Sequence, residues 1–314
     1  MDNVTIEQDP IHFLLCIYDL SDTYNKHFGA TLASLLVNTK SSMVFHLIYD
    51  ENLITSNNRE IAKINKENYL SLCRKYNASL FFHNFSLPAP LQKKFGLWKW
   101  SPAALLRLFA ADILPDIDKI IYLDGDIIVN MDLTSLWTEC DISAYPLGAC
   151  LEGKHFNSGF LYMNLKMIRE KYTLSKIAIE LLSKTDLREP DQLILNKVFW
   201  DNFLPLETKY NYQVSKENAD LLASQEGVMH FVVYKPWINS QRKKIELLYW
   251  KYLSLSPWGN TGDKLILDSW NVLDTTLESW FKLPKVALKY EIKKMKQIIL
   301  RRTKFKNQKY PGEE

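Results

Sequence analysis

Three apolar runs of strand length, each closing on an aspartate, constrain this chain more than any other feature. They are Phe13-Leu14-Leu15-Cys16-Ile17-Tyr18-Asp19, Met43-Val44-Phe45-His46-Leu47-Ile48-Tyr49-Asp50 and Lys119-Ile120-Ile121-Tyr122-Leu123-Asp124. Runs this nearly continuous suit strands with both faces covered. Between the first two, Gly29 to Leu36 reads as a helix with small residues for close packing. The polar-rich stretch from about 57 to 76 carries Ile61, Ile64, Leu72 and Tyr76 at helical spacing, Ser79 to His83 supplies another strand, and Ala103 to Ala111 a further helix. Strand and helix in alternation predict an α/β fold with a mostly parallel central sheet flanked by helices. Ligands of such sheets sit outside the carboxyl ends of the strands, where Asp19, Asp50 and Asp124 fall.

The third run continues as Asp124-Gly125-Asp126-Ile127-Ile128-Val129. In extended backbone, residues i and i+2 point to one side, so two carboxylates at a strand end can meet at one point. That point suits Mg²⁺ or Mn²⁺, which take oxygen ligands and are shared between a carboxylate or two and substrate phosphates. A tight hairpin is the competing reading, because Asp-Gly is a strong turn dipeptide. The tripeptide alone does not choose, and its place at a strand end favours the metal. No Gly-x-Gly-x-x-Gly follows the first strand and no Gly-x-x-x-x-Gly-Lys-Ser/Thr occurs, which argues against a dinucleotide dehydrogenase and a P-loop nucleotidase. Ile128 stands where a calcium loop counted from Asp124 needs an oxygen ligand.

A length of 314 residues, 47% of them hydrophobic, suits one large or two small domains with a buried core. A net charge of +3 gives no reason to expect a nucleic-acid partner. Cys16, Cys73, Cys140 and Cys150 show no Cys-x-x-Cys spacing and read as reduced thiols. The opening dozen residues are acidic and polar, without a basic then apolar leader, and no apolar run approaches membrane-spanning length, so a cytoplasmic protein is expected.

Four further segments carry polar groups in apolar settings. Ser101-Pro102-Ala103-Ala104-Leu105-Leu106-Arg107-Leu108 sets an arginine in an apolar helix, and Phe156-Asn157-Ser158-Gly159-Phe160-Leu161-Tyr162-Met163-Asn164-Leu165 is a strand with amides near its ends. Pro190-Asp191-Gln192-Leu193-Ile194-Leu195-Asn196 opens a helix on a carboxylate and an amide. Val228-Met229-His230-Phe231-Val232-Val233-Tyr234-Lys235-Pro236-Trp237 offers an imidazole and a lysine. Each has an ordinary explanation, such as a surface arginine, a structural histidine or a helix-dipole carboxylate.

Taken together and in this order, these five motifs resemble glycosyltransferase family 8, the retaining enzymes that include glycogenin and the bacterial lipooligosaccharide galactosyltransferases, over roughly residues 11 to 240. The resemblance implies a GT-A type domain, placed at 1–245, and a UDP-sugar donor with Mn²⁺, or Mg²⁺ as second choice, held by Asp124, Asp126 and His230. It implies that Gly125 lies in the same donor site, that Arg107 and Lys235 meet donor phosphates or sugar, and that Asn157, Asp191 and Gln192 line the sugar pocket. Asp191 and Gln192 are the expected catalytic residues. Asp19, Ser21 and Asp22 remain alternatives for contacting the uridine or ribose. The expected reaction moves galactose or glucose to a glycan acceptor, on a lipid or on a protein such as a serine-rich adhesin. The different-class alternative is a catalytically impaired nucleotide-sugar or glycan-binding subunit.

The chain departs from the family pattern in three places. His230 to Lys235 is one residue shorter than usual and lacks a glycine, which would let backbone approach a phosphate. Leu20-Ser21-Asp22-Thr23-Tyr24 stands where two adjacent aspartates are common, and the segment from Cys150 to Asn157 is short. Beyond the resemblance, residues 246–314 read as an aromatic-rich linker and a basic helical tail. Lys282 to Lys309 holds eleven basic residues and one acidic, Glu291. Leu288, Ile292, Met295 and Ile299 share one helical face, a pattern that suits either peripheral contact with an anionic membrane or packing on the catalytic domain.

Overall fold

A computed structural model describes residues 9–92, 101–184, 190–238, 240 and 243–259. The basic tail expected from Lys282 to Lys309 lies outside these residues. Strands β1 (Ile11–Cys16), β2 (Met43–Tyr49), β3 (Ser79–Asn84) and β4 (Lys119–Leu123) form one sheet with β6 (Leu147–Glu152), β7 (His155–Asn164) and β8 (Leu204–Pro205), in the order β3-β2-β1-β4-β7-β6-β8. Neighbours from β3 to β4 are parallel, whereas β7 runs antiparallel to both β4 and β6. A second sheet, ordered β5-β10-β9, contains β5 (Ile127–Asn130), β9 (Tyr212–Gln213) and β10 (Gly227–His230).

The alternation of side chains along a strand divides the core in two. Phe13 and Leu15 on β1, Ile121 and Leu123 on β4, and Phe160 and Tyr162 on β7 face one cluster, while Leu14, Cys16, Ile120, Tyr122, Leu161 and Met163 face the other. Phe13, Phe45 and Phe160 are fully buried, and burial of such side chains contributes about 1.5–3 kcal/mol each. Helix α1 (Asn25–Asn38) is buried for most of its length because the helix Glu246–Leu255 covers its outer side. Trp258, just past that helix, accounts for Gly29, where a Cβ would lie 2.4 Å from the indole ring. The four cysteines are free, as expected.

Some local expectations need correction. The two carboxylates at the end of the third run do not stand on extended backbone. The chain turns at Asp124-Gly125-Asp126, leaving the large sheet after Leu123 and entering the small one at Ile127. The hairpin reading fails too, since β4 and β5 belong to different sheets. On α2 (Arg59–Lys75), Ile61 and Ile64 are about half exposed, and Ala62, Asn65, Tyr69, Leu72 and Cys73 form the buried face. Polar residues hold that face: Asn65 donates to Leu20 O at 2.7 Å and accepts from Trp258 Nε1 at 2.8 Å, and Tyr69 Oη donates to Asn25 O at 3.0 Å. A satisfied polar residue can be buried where apolar periodicity alone would place it outside.

The helix expected over Ala103 to Ala111 is broken into Ala103–Leu106, a tight 3₁₀ turn at Arg107–Phe109 and Ala110–Ile113. Because β1 lies between β2 and β4, the order of connection reverses at its carboxyl end. That is the crevice where open α/β sheets bind ligands.

Candidate active site

Backbone pairing brings three distant segments to the end of β4. In the small sheet His230 lies opposite Ile127, and Phe231 N donates to Asp126 O at 2.9 Å. In the large sheet Leu123 lies opposite Phe160, and Asp124 N donates to Gly159 O at 2.8 Å. These contacts set His230 and the Asn157–Gly159 corner around the two aspartates. The packing is close enough that a Cβ on Gly159 would lie 2.1 Å from His230 Cε1.

Asp124, Asp126 and His230 each offer a ligand atom, all within 4.8 Å of one another. His230 Nε2 is 3.3 Å from Asp126 Oδ1 and 3.7 Å from Asp124 Oδ2. Adjacent ligands of an octahedral ion bound at about 2.1 Å stand roughly 3 Å apart, so the cluster needs little contraction to close on a cation. Two carboxylates and an imidazole are also a fitting donor set for Mn²⁺. No other group of three such residues with this spacing occurs among the described residues.

Arg107 lies beneath this cluster and is almost wholly buried. Its Nε donates to Ala104 O at 2.9 Å, Nη1 to Ser158 O at 2.5 Å and Nη2 to Asp124 Oδ1 at 2.7 Å, with Asp191 Oδ2 at 3.6 Å. The guanidinium also stacks 4.0 Å from the centre of the Tyr122 ring, whose hydroxyl donates to Asp124. Burial opposes its charge, but Asp124, Tyr122 and Asp191 outweigh that and hold its pKa above the ordinary value. All three guanidinium nitrogens of Arg107 are thus engaged by protein oxygens. Lys235 bonds Asp126 Oδ2 and donates to Phe231 O at 2.9 Å, so the shortened loop still delivers its ammonium to the cluster. Buried Glu246 anchors that loop, accepting from Tyr234 Oη, from Ser240 Oγ at 2.5 Å and from Lys243 N at 3.1 Å.

The two aspartates titrate in opposite directions. Burial raises Asp124, and Arg107 only partly offsets it. Burial works on Asp126 as well, but His230, when its ring is protonated at both nitrogens, and Lys235 hold its carboxyl below the usual range.

Asp191 and Gln192 open the helix Pro190–Phe199 and face the Ser158 corner. Ser158 Oγ donates to Asp191 Oδ2 at 3.2 Å, and Gln192 Oε1 accepts from Ser158 N at 3.0 Å. Asn196 docks the same helix on β7, accepting from Phe156 N at 2.8 Å and donating to Phe156 O at 2.9 Å. Asn157 is buried and engaged by protein groups, with Gly159 N at 2.9 Å, Asn211 Nδ2 at 2.8 Å and Glu152 Oε2 at 3.1 Å.

In the loop after β1, Asp19 Oδ1 accepts from Ser21 N and Oγ at 2.7 Å each, and Asp22 Oδ1 accepts from Tyr24 N at 2.8 Å. These bonds shape the entry to α1. Gly125 lets the turn pass the Phe28 ring, which a Cβ would meet at 2.5 Å. Tyr24 was not expected here. Burial, then Asp126 and Asp124, push its hydroxyl pKa well above the ordinary value, so it stays protonated near the carboxylates. Ser158, Gly159, Tyr122 and Asn211 were likewise not singled out. The first three lie inside quoted motifs, while Asn211 lies in a segment with no motif to mark it.

The family model for glycosyl transferase family 8 matches residues 15–241. The chain is 31% identical over 170 residues to Glycosyltransferase GlyF of Streptococcus pneumoniae serotype 4, covering 49% of this chain and 42% of that protein. It therefore spans less than half the length of that relative. It is 25% identical over 275 residues to the lipopolysaccharide 1,2-glucosyltransferase of Escherichia coli K12, covering 77% and 78% of the two chains. In fold it is similar to the galactosyltransferase LgtC, solved with donor and acceptor sugar analogs, with a TM-score of 0.61 and 20% identity over 79% of this chain and 96% of that one. A match of this extent, with the α/β architecture and the clustered Asp124, Asp126 and His230, establishes that the chain belongs to glycosyl transferase family 8.

Proposed function

We propose that this glycosyltransferase moves a hexose, galactose or glucose, from a UDP-sugar to a glycan acceptor with retention of configuration and in a metal-dependent way. The observation that carries the reading is the set of Asp124, Asp126 and His230 at the end of a parallel strand, with Lys235 at its edge. The names of the E. coli relative and of LgtC support a hexose donor. A bound Mn²⁺ or Mg²⁺ ion supplies Lewis-acid stabilisation of the diphosphate leaving group, worth several kcal/mol.

The residues divide the remaining work. Lys235 transfers its ammonium from Asp126 to the donor phosphates, adding fixed positive charge where negative charge develops. Arg107 holds Asp124 and Asp191 in place. Asp191 and Gln192 orient sugar hydroxyls over the Ser158 corner, while the loop from Asp19 to Asp22 borders the nucleoside. Asp191 is occupied by Ser158 and flanked by Arg107, and the Gln192 amide is a weak nucleophile. Front-face attack assisted by the departing phosphate therefore accounts for retention without a covalent intermediate.

The acceptor glycan is carried by a lipid or by a protein such as a serine-rich adhesin. The catalytic domain, residues 1–245 with the helix Glu246–Leu255 packed on it, acts in the cytoplasm, and the basic tail within the region 246–314 brings it to the inner membrane face. The deciding experiment is slow UDP release from UDP-galactose and UDP-glucose with Mn²⁺, compared with EDTA. Asp126→Ala should remain folded and lose Mn²⁺-dependent UDP binding. Unchanged UDP affinity in Mn²⁺ by calorimetry would refute the metal assignment, and a folded wild-type protein that binds donor without ever releasing UDP would point to a non-catalytic subunit.

A further inference from the structure

The amide pair behind His230 fixes hydrogen positions through one unambiguous donor. Gly159 N is a backbone N–H, and it lies 2.9 Å from Asn157 Oδ1, so the oxygen of that amide must face it. The Asn211 atom 2.8 Å from the same oxygen must then be the amide nitrogen. This turns Asn211 Oδ1 toward His230 Nδ1 at 2.9 Å, and two acceptors cannot share a hydrogen bond without a hydrogen between them. Nδ1 therefore carries the hydrogen. Asn157 Nδ2, 3.1 Å from Glu152 Oε2, agrees with this orientation.

We infer that Asn211, itself oriented by Asn157, is a positioning residue that locks the His230 imidazole in the Nδ1–H form, so that Nε2 presents its lone pair to the Asp124–Asp126 point. The competing arrangement is close at hand. Asp126 Oδ1 lies 3.3 Å from Nε2 and would accept a hydrogen from it, which would remove the nitrogen as a metal ligand. Asn157, Asn211 and His230 are all buried, so bulk water is a poor substitute for a missing acceptor. A partner on the second ring nitrogen is also the usual means of orienting a metal-binding histidine.

The consequence for metal binding rests on the metal-dependent reading above, while the tautomer is a property of the protein alone. The experiment therefore has two arms. Ring ¹⁵N–¹H correlation spectra of the metal-free wild-type protein at alkaline pH should show His230 protonated at Nδ1, and a ring protonated at Nε2 overturns the inference. Calorimetric Mn²⁺ titration should show Asn211→Leu binding about 10- to 100-fold more weakly than wild type. Asn211→Asp keeps an acceptor toward Nδ1 but loses the donor to Asn157 Oδ1, so it should recover part of that loss. Wild-type Mn²⁺ affinity in a folded Asn211→Leu protein, or equal loss in both variants, overturns the positioning role. Failure of the wild-type protein to bind Mn²⁺ with the Nδ1–H form present would instead defeat the metal-dependent reading and leave the tautomer assignment standing.

Discussion

Gly159→Ala tests the packing that holds the site together. The added Cβ would lie 2.1 Å from His230 Cε1, 2.6 Å from Nδ1 and 2.9 Å from Nε2. Ordinary contact begins near 3.4 Å, so the ring has to retreat by about 1 Å or more. Metal ligands tolerate roughly 0.2 Å, so a displacement of that size removes the imidazole from the coordination point. The ring cannot yield freely, since its Nδ1 is held by Asn211 at 2.9 Å. Overpacking of this kind costs about 1–3 kcal/mol, and loss of the hydrogen bond adds about 1 kcal/mol. Urea unfolding should therefore report a stability loss of about 2–4 kcal/mol, and calorimetry an Mn²⁺ affinity at least 10-fold lower. Gly153→Ala is the control: that glycine has a left-handed φ of +61° but open space around it, so it should lose some stability and keep its metal affinity. Wild-type Mn²⁺ affinity in Gly159→Ala would refute the reasoning.

Asp191→Ala should lower turnover of UDP-sugar far more than UDP affinity, because Asp191 is assigned to the sugar and not to the diphosphate; parallel collapse of both in a folded protein would disprove that role. His27 and His46 are each pushed down to about 3, His27 by burial and then Lys26 and Lys235, His46 by burial and then His12 and His83. Below pH 6.5 the unfolded chain binds protons at these sites that the folded chain refuses, so stability is full above that pH and falls on acidification. At about 1.4 kcal/mol each, the two sites should cost about 3 kcal/mol between pH 7.5 and 5.5, and unchanged denaturation midpoints over that interval would contradict their burial as neutral groups. Truncation after about Pro284 should leave UDP release largely intact and weaken salt-sensitive binding to anionic liposomes, and a soluble truncated protein with unchanged liposome binding would refute the docking role proposed for the tail.

What was legible in the sequence was what short-range chemistry determines. Asp124 and Asp126 could be placed at a strand end because the apolar run before them is local, and the same logic located β1, β2 and β3. The turn itself was not legible, because it depends on where residues 127–130 find their partner, about 100 residues later at Gly227–His230. Ile61 and Ile64 misled for a related reason: the buried face of α2 is set by hydrogen bonds from Asn65 and Tyr69 to distant segments, with Trp258 lying 193 residues from Asn65. Arg107 stands out in the sequence by its apolar neighbours, yet the partners it meets, Ser158, Asp124 and Asp191, are not local. Asn211 shows the limit most sharply. It lies 54 residues from Asn157 and 19 from His230, in a segment whose local pattern says nothing of either. A carboxylate pair at the end of an apolar strand points to metal chemistry from its local pattern, but an amide gains meaning only from the groups it meets. In a cluster of this kind the carboxylates are therefore the first to be readable, and the amides packed behind them become visible only once the chain is folded.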